Sequence, residues 1–173
     1  MIIFSILIAA FLSSCGSEQP SADQTATTHT SAHEVPPEVD ARILADITQD
    51  LQTISGAGAD TAALGDAMTG KALSETKATI GADLAQGKYR KRDYQNIKVR
   101  TTSYSLPVVE VAAEFDDNGY YVDANTGAAL DQPTNEHKSY ALAAVEEGGR
   151  WKISLILSPS ATSTTSNSSQ SNQ

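Results

Sequence analysis

Cysteine and histidine, which can act as metal ligands and in catalysis, are scarce in this chain. Cys15 is the single cysteine, and the three histidines are His29, His33 and His137. A lone cysteine can be a nucleophile, a metal ligand, a buried thiol or an attachment point, but it cannot form an internal disulfide. His29 and His33 are four residues apart, a spacing that places two ligands on one face of a helix. The surrounding TTHTSAHEVPP has poor helix propensity, so the sequence favours polar linker over a metal site here.

His137 is the one histidine within the part of the chain rich in large apolar residues. It follows Glu136 in the polar stretch DQPTNEHK, residues 131–138, which we predict to be a loop. A loop histidine beside an acid is usually exposed to solvent, and no serine nucleophile motif, zinc motif, phosphate loop or dinucleotide fingerprint occurs in the sequence. We therefore predict no catalytic residue, no enzymatic activity and no cofactor.

The clustered aspartates are explained by turns. Asp116, Asp117 and Asp123 flank turn residues, where a short carboxylate bonds its own backbone. The spacing Asp123-x-Asn125-x-Gly127 is similar to the start of a calcium loop, but the glycine comes one place early and the twelfth position is a threonine. No metal site is predicted.

An apolar run precedes Cys15. Residues 2–12, IIFSILIAAFL, would span about 16 Å as a helix, which is too short to cross a bilayer but suits the hydrophobic region of a secretion signal. Small residues Ser13 and Ser14 follow, as a processing site requires. The alternative is an uncleaved apolar helix that ends in a free or buried thiol.

The stretch Leu12-Ser13-Ser14-Cys15-Gly16 resembles the lipobox of bacterial lipoproteins. The resemblance implies that cleavage occurs before Cys15 and that its sulfur carries a diacylglyceryl group. Two acyl chains suffice for stable attachment to a membrane surface. On this basis we expect an exported protein anchored by lipid to a bacterial membrane.

Composition divides the rest of the chain into segments. Residues 1–41 contain five acids and no Lys or Arg, residues 42–157 contain sixteen acids and twelve bases, and the remainder has no charged side chain. We predict a signal peptide over 1–14, an acylated cysteine and flexible tether over 15–36, a globular domain over 37–158, and a disordered Ser/Thr-rich tail over 159–173. The acidic balance argues against nucleic acid as a partner.

The first half of the domain has helical periodicity. Pro37 and Glu38 favour a helix start, and one apolar stripe follows, formed by Val39, Ile43, Ile47, Leu51 and Ile54. Asp60 is expected to cap a short second helix that ends before Gly70. A third helix is predicted over 71–85, with Leu73, Thr76, Ile80 and Leu84 facing inward.

From Tyr94 the apolar period changes to two. Strands are predicted from Tyr94 onward, around Val109–Phe115, over Tyr140–Glu146 and over Trp151–Leu157, with a small hairpin around 120–127. The order of helices before strands predicts an α+β fold, with N-terminal helices packed on one face of a curved antiparallel sheet.

The ending GGRWKISLIL, residues 148–157, is similar to the last strand of domains in the nuclear-transport-factor-2-like superfamily, and residues 63–94 resemble the helical part of a branch found in chloroplast-division and bacterial envelope proteins. The resemblance implies a cone-like domain and does not imply one activity, because the superfamily includes enzymes, ligand binders and interaction modules.

Two groups of side chains are candidates for contacts. Lys88, Arg90, Lys91 and Arg92 could complement a helix C-terminus, contact anionic lipid or wall polymer, or, least favoured, bind nucleic acid. Tyr104, Tyr120, Tyr140 and Trp151 are candidates to line a pocket or to pack in the core. We predict a binding module for an envelope protein or cell-wall partner, with a small apolar ligand in the helix–sheet cavity as the alternative and a cavity enzyme as a third.

Overall fold

The computed structural model describes residues 34–157. The predicted signal peptide, Cys15, the histidines at 29 and 33, most of the tether and the tail lie outside the described residues. Within them, none of the helices is both long and apolar enough to cross a membrane.

Three helices form the first half of the domain. The helix α1 spans Pro37–Ala57, α2 spans Leu64–Ala67 and α3 spans Gly70–Ala85. Pro37 and the acids Glu38 and Asp40 occupy the first turn of α1, where a missing N–H and negative charge are both favourable. The predicted stripe is confirmed, since Ile43 and Ile47 are fully buried and Leu51 and Ile54 nearly so.

The predictions for the other two helices need adjustment. Asp60 accepts the amide hydrogens of Ala62 and Ala63 in the turn before α2 and does not cap α2 itself. In α3, Ile80 is buried as predicted, but Leu84 is 40 % exposed. Leu84 lies in the last turn of α3, which ends one residue later at Ala85.

Six strands follow: β1 (Lys88–Lys91), β2 (Tyr94–Ser105), β3 (Val108–Asp117), β4 (Tyr120–Asp123), β5 (Glu136–Glu147) and β6 (Arg150–Leu157). Four of them form an antiparallel sheet in the order β2-β3-β5-β6, while β1 and β4 form a separate antiparallel pair. The helix α1 contacts β2 and β6, and α3 contacts β6 and β1. The predicted α+β fold class, with N-terminal helices packed on an antiparallel sheet, is confirmed, and the sheet is open.

The core lies between the helices and one face of the sheet. Alternate residues of β3 face it and are buried, namely Val109, Val111, Ala113 and Phe115. Trp151 and Ile153 of β6 complete it from the sheet edge. The intervening β3 residues face away from the helices, so the second face of the sheet is uncovered by any helix among residues 34–157.

Two sequence predictions about strands are corrected. His137 belongs to β5 and not to a loop, because β5 begins at Glu136 and pairs with β3 as far as Asp117↔Glu136. Residues 88–91, not predicted as a strand, pair with β4 in the register Lys88↔Asp123 to Lys91↔Tyr120. The predicted small hairpin forms its turn, with the Asp123 N–H donating to the Ala128 carbonyl at 2.9 Å.

Candidate functional site

A half-open cavity of about 190 Å³ lies between the helices and the sheet. Its aromatic wall consists of Tyr94, Phe115 and Tyr140 on three neighbouring strands. The ring centroids of Tyr94 and Phe115 are 4.3 Å apart, and those of Phe115 and Tyr140 are 5.7 Å apart. Its aliphatic wall comes from both helices and sheet and consists of Leu51, Ile54, Met68, Leu142, Ile153 and Ile156.

Strand register explains why the three rings meet. Tyr140 lies opposite Ala113 and Tyr94 lies opposite Asp117 in the antiparallel ladder, so both flank Phe115 on the helix-facing side of the sheet. The Tyr94 backbone N–H donates to Ser55 Oγ of α1 at 2.9 Å, which ties β2 to the helix. The position of this aromatic wall is therefore set by the sheet and by one helix contact.

Two polar side chains complete the lining, Arg92 and Thr76. Arg92 is half-buried, and its Nη1 lies 3.4 Å from the Gly58 carbonyl oxygen. Burial raises the pKa of Tyr94 to about 12, against a smaller lowering effect of the nearby Arg92 charge. Among the described residues that line the cavity there is no carboxylate and no histidine.

The four aromatic residues singled out in the sequence have separate locations. Tyr140 lines the cavity, whereas Trp151 is 2 % exposed in the core. Tyr104 is half-buried against the core, opposite Val109. Tyr120 lies on β4, away from the cavity, with the Lys91 ammonium 5.7 Å from its ring centroid. Sequence reasoning missed Tyr94 and Phe115, although their place in the two-residue period was a usable signal.

The basic cluster is divided by strand geometry. Arg90 Nη2 bonds Asp117 Oδ2 at 3.1 Å, and the pair is largely buried. Arg92 points to the cavity. Lys88 and Lys91 lie over tyrosine rings, Lys88 at 4.8 Å from the Tyr121 centroid. Contact of this cluster with an anionic surface stays a prediction, and Lys91 is its exposed cation, whereas the other three are half-buried.

A partly buried ionic cluster joins α1 to β6. Arg150 Nη2 donates to Asp50 Oδ1 at 3.0 Å, and Arg150 Nε lies 3.6 Å from Asp46 Oδ1. The Trp151 amide donates to Asp46 Oδ2 at 3.0 Å. Asp50 is fully buried, and its Oδ2 has no hydrogen-bond partner among residues 34–157. Burial raises the pKa of Asp50 to about 7, although the Arg150 charge opposes the increase.

An aspartate–histidine pair occupies the opposite face of the sheet. Asp116 Oδ1 lies 2.8 Å from His137 Nδ1, and Asn96 Nδ2 donates to Asp116 Oδ2 at 2.7 Å. Hydrogen bonds from Asn96 and His137 lower the pKa of Asp116. Phe115 faces the cavity, so its neighbour Asp116 faces the other side of the sheet. The His137 side chain is 65 % exposed on that side. This pair therefore cannot act on a group held in the cavity.

Asp123 is engaged by its own turn. Its Oδ1 accepts hydrogen bonds from the amides of Asn125 and Thr126 and from the Thr126 hydroxyl. These bonds lower the pKa of Asp123. The turn interpretation of the sequence is confirmed for this residue.

Comparisons with known proteins find distant similarity to solved structures. The chain is similar to the intermembrane space region of chloroplast protein ARC6, at 17 % identity and a TM-score of 0.47, over 65 % of this chain and 92 % of that one. It is also similar to a protein of unknown function with a cystatin-like fold from Nostoc punctiforme, at 12 % identity and a TM-score of 0.40, over 71 % of this chain and 91 % of that one. No protein-family model matches the chain, and the search of curated proteins gives no significant match.

Proposed function

We propose that this chain is a lipid-anchored protein of a bacterial cell envelope whose α+β domain is a non-catalytic binding module. The observation that supports it best is the half-open cavity between helices and sheet, with its aromatic and aliphatic walls. Ligand sites are typically concave and mostly apolar with a few polar groups, which describes this cavity. Acid–base catalysis most often uses a carboxylate or an imidazole within hydrogen-bond reach of the bound molecule, and the described lining residues supply neither. The lining does hold the phenols of Tyr94 and Tyr140, but burial raises the pKa of Tyr94 to about 12, far above neutral pH.

The ligand class follows from the lining. Six aliphatic and three aromatic side chains favour a small, largely apolar molecule. An apolar cavity of about 150 Å³ binds benzene. The cavity of about 190 Å³ therefore suits a single ring or a short alkyl chain.

Binding of benzene to the full-length chain, followed by NMR, tests this proposal. Ile156 is 37 % exposed at the edge of the cavity, and Ile156→Trp should fill the opening and abolish binding. Leu106→Trp adds the same ring at an exposed position outside the lining and should leave binding unchanged. If the unmodified chain binds no benzene, or if both variants bind equally well, the cavity is not the binding site.

A protein partner is the second candidate, and the uncovered face of the sheet supports it. The register places Val108 opposite Val145, and Ala143 opposite Leu155, on this face. Val108 is 39 % exposed. A photo-crosslinker at position 108 should then capture an envelope protein in native membranes, whereas one at position 156 should not. Equal yields at both positions would contradict a role for this face.

The proposed anchor depends on Cys15. A Cys15→Ser variant should remain unprocessed and should lose metabolic labelling by fatty acid, because the thioether cannot form on a hydroxyl side chain. Membrane fractionation and labelling in the native host measure both effects. Normal labelling of the variant would refute the lipid anchor. It would not affect the binding proposal, which the cavity experiment tests separately.

A further inference from the structure

The lining of the cavity includes a guanidinium without an ion-pair partner among the described residues. Arg92 makes one long contact, to the Gly58 carbonyl oxygen at 3.4 Å, and none of the ion pairs within residues 34–157 includes it. The neighbouring Arg90 is different, because Asp117 binds it at 3.1 Å. Arg92 is therefore the one cationic side chain in the lining, and its charge has no carboxylate partner in the described domain.

The lining also includes two phenol groups. The hydroxyls of Tyr94 and Tyr140 make no hydrogen bond to another residue of the described domain, and both side chains line the cavity. A phenol is protonated and able to donate at neutral pH, and burial raises the pKa of Tyr94 further, to about 12. Arg92, Tyr94 and Tyr140 all line the one cavity, so their polar groups are available to the same bound molecule.

Two charged side chains near these tyrosines are already paired with an opposite charge. Asp117 also influences Tyr94, but it is paired with Arg90. Lys138, which is near Tyr140, is paired with Glu136. The lining of the cavity thus combines two phenol donors with one positive charge that has no ion-pair partner in this part of the chain.

We propose that the cavity selects a small aromatic carboxylate, with its ring between the aromatic and aliphatic walls and its carboxylate on Arg92. This inference rests on the proposed binding function of the cavity and adds the charge of the ligand. A planar guanidinium matches the two oxygens of a carboxylate, and such charge-assisted hydrogen bonds are about twice as strong as neutral ones. The cavity volume accommodates one ring, and Arg92 in the lining offers a guanidinium to the attached carboxylate.

Phenylacetate and phenylacetamide form a matched pair of probes, since they have nearly the same shape and differ in charge. Titration of the full-length chain by NMR or calorimetry should show that phenylacetate binds about tenfold more tightly or better, because one charged hydrogen bond is typically worth that factor or more. Arg92→Gln should remove the preference and leave phenylacetamide binding unchanged. Lys91→Gln removes a neighbouring charge outside this cavity and should keep the preference.

Benzene separates the two proposals. If benzene binds and the two phenylacetyl probes bind equally, the cavity is a binding site and the inferred preference for an anion is overturned. If none of the three probes binds, the binding function of the cavity is refuted as well. Should Arg92→Gln fail to fold, Tyr140→Phe provides the second test, because loss of one donor should weaken phenylacetate severalfold and leave benzene binding intact. An unchanged phenylacetate affinity in a folded Arg92→Gln variant would also overturn the inference.

Discussion

At the scale of single residues, Asp50 shows how position changes chemistry. The sequence places it one residue before Leu51 on α1, and the structure buries it completely against Arg150 of β6. One carboxylate oxygen accepts from the guanidinium, and the other has no hydrogen-bond partner in the described domain. Burying an ionised group with an unsatisfied oxygen costs free energy, so the folded state favours the neutral, protonated form of Asp50.

This burial predicts an unusual pH dependence. The pKa of Asp50 rises from 3.8 to about 7 on folding, so between these values the folded state binds more protons than the unfolded state. The contribution of Asp50 to stability is therefore fully present below about pH 4 and is lost as the pH rises to about 7. The free energy of unfolding of the unmodified protein, relative to Asp50→Asn, should increase when the pH is lowered from 8 to 5. Denaturant unfolding of both proteins across this range measures the difference.

Asp123→Asn serves as a control of opposite sign. Its turn lowers the pKa of Asp123, so this carboxylate stabilises the fold at neutral pH and loses its contribution as the pH falls through the acidic range. The difference in free energy of unfolding between the unmodified protein and Asp50→Asn is the quantity that decides. If it stays constant from pH 5 to 8, Asp50 does not titrate in this range.

At the scale of elements, the junction between the sheet and the β1–β4 pair depends on Gly119. Asp117 ends β3, binds Arg90 of β1 through Oδ2 and accepts the Gly119 amide through Oδ1 at 2.8 Å. A Cβ on Gly119 would lie 2.8 Å from Asp117 Oδ1 and 2.9 Å from the Lys91 carbonyl oxygen. The close approach of two strands at this turn therefore requires glycine.

Gly119→Ala should destabilise the domain by about 1–3 kcal/mol, because the added methyl group displaces the Asp117 carboxylate or the β1 backbone. Gly81→Ala adds the same group in α3, where no atom lies within 4 Å, and should stabilise by about 1 kcal/mol through helix propensity. Thermal or denaturant unfolding of the two variants tests the contrast. Equal effects of the two substitutions would mean that crowding at Gly119 is relieved without cost.

At the scale of the whole molecule, charge restricts the choice of partners. The chain has a formal net charge of −9 at pH 7, and two of the four bases in the 88–92 cluster are engaged by the Asp117 pair or the cavity. Nucleic-acid binding depends on a positive field along the phosphate backbone, which this distribution does not supply. Because the net charge repels anions at long range, an anion could be held only by specific side chains.

We accordingly expect the full-length chain to bind neither single- nor double-stranded DNA at about 50 mM salt, at protein concentrations up to about 10⁻⁴ M. Proteins that bind DNA non-specifically already do so at this concentration. Fluorescence anisotropy with labelled oligonucleotides measures it. Binding that weakens with salt and with the double substitution Lys88→Gln and Lys91→Gln would contradict this expectation and assign the cluster to a polyanion.

Local patterns determined much of this protein by themselves. The 3.6-residue period of Ile43, Ile47 and Leu51 and the two-residue period of Val109–Phe115 predicted the helix, the strand and their buried faces, because each element must bury one apolar side. The glycine pair at 148–149 predicted the β5–β6 turn, where both glycines have positive φ. The lipobox resemblance at Cys15 also comes from sequence alone.

Only the tertiary structure decided which side chains meet. The cavity combines residues of two helices, four strands and the segments between them, and Tyr94, Phe115 and Tyr140 become neighbours through strand register. The strand β1 has no apolar period of its own and forms because β4 pairs with it, and this pairing separates Arg90 from Arg92. Local sequence sets the conformation and polarity of each segment, whereas contacts between distant residues depend on how the elements pack, so the candidate site emerged only from the folded chain.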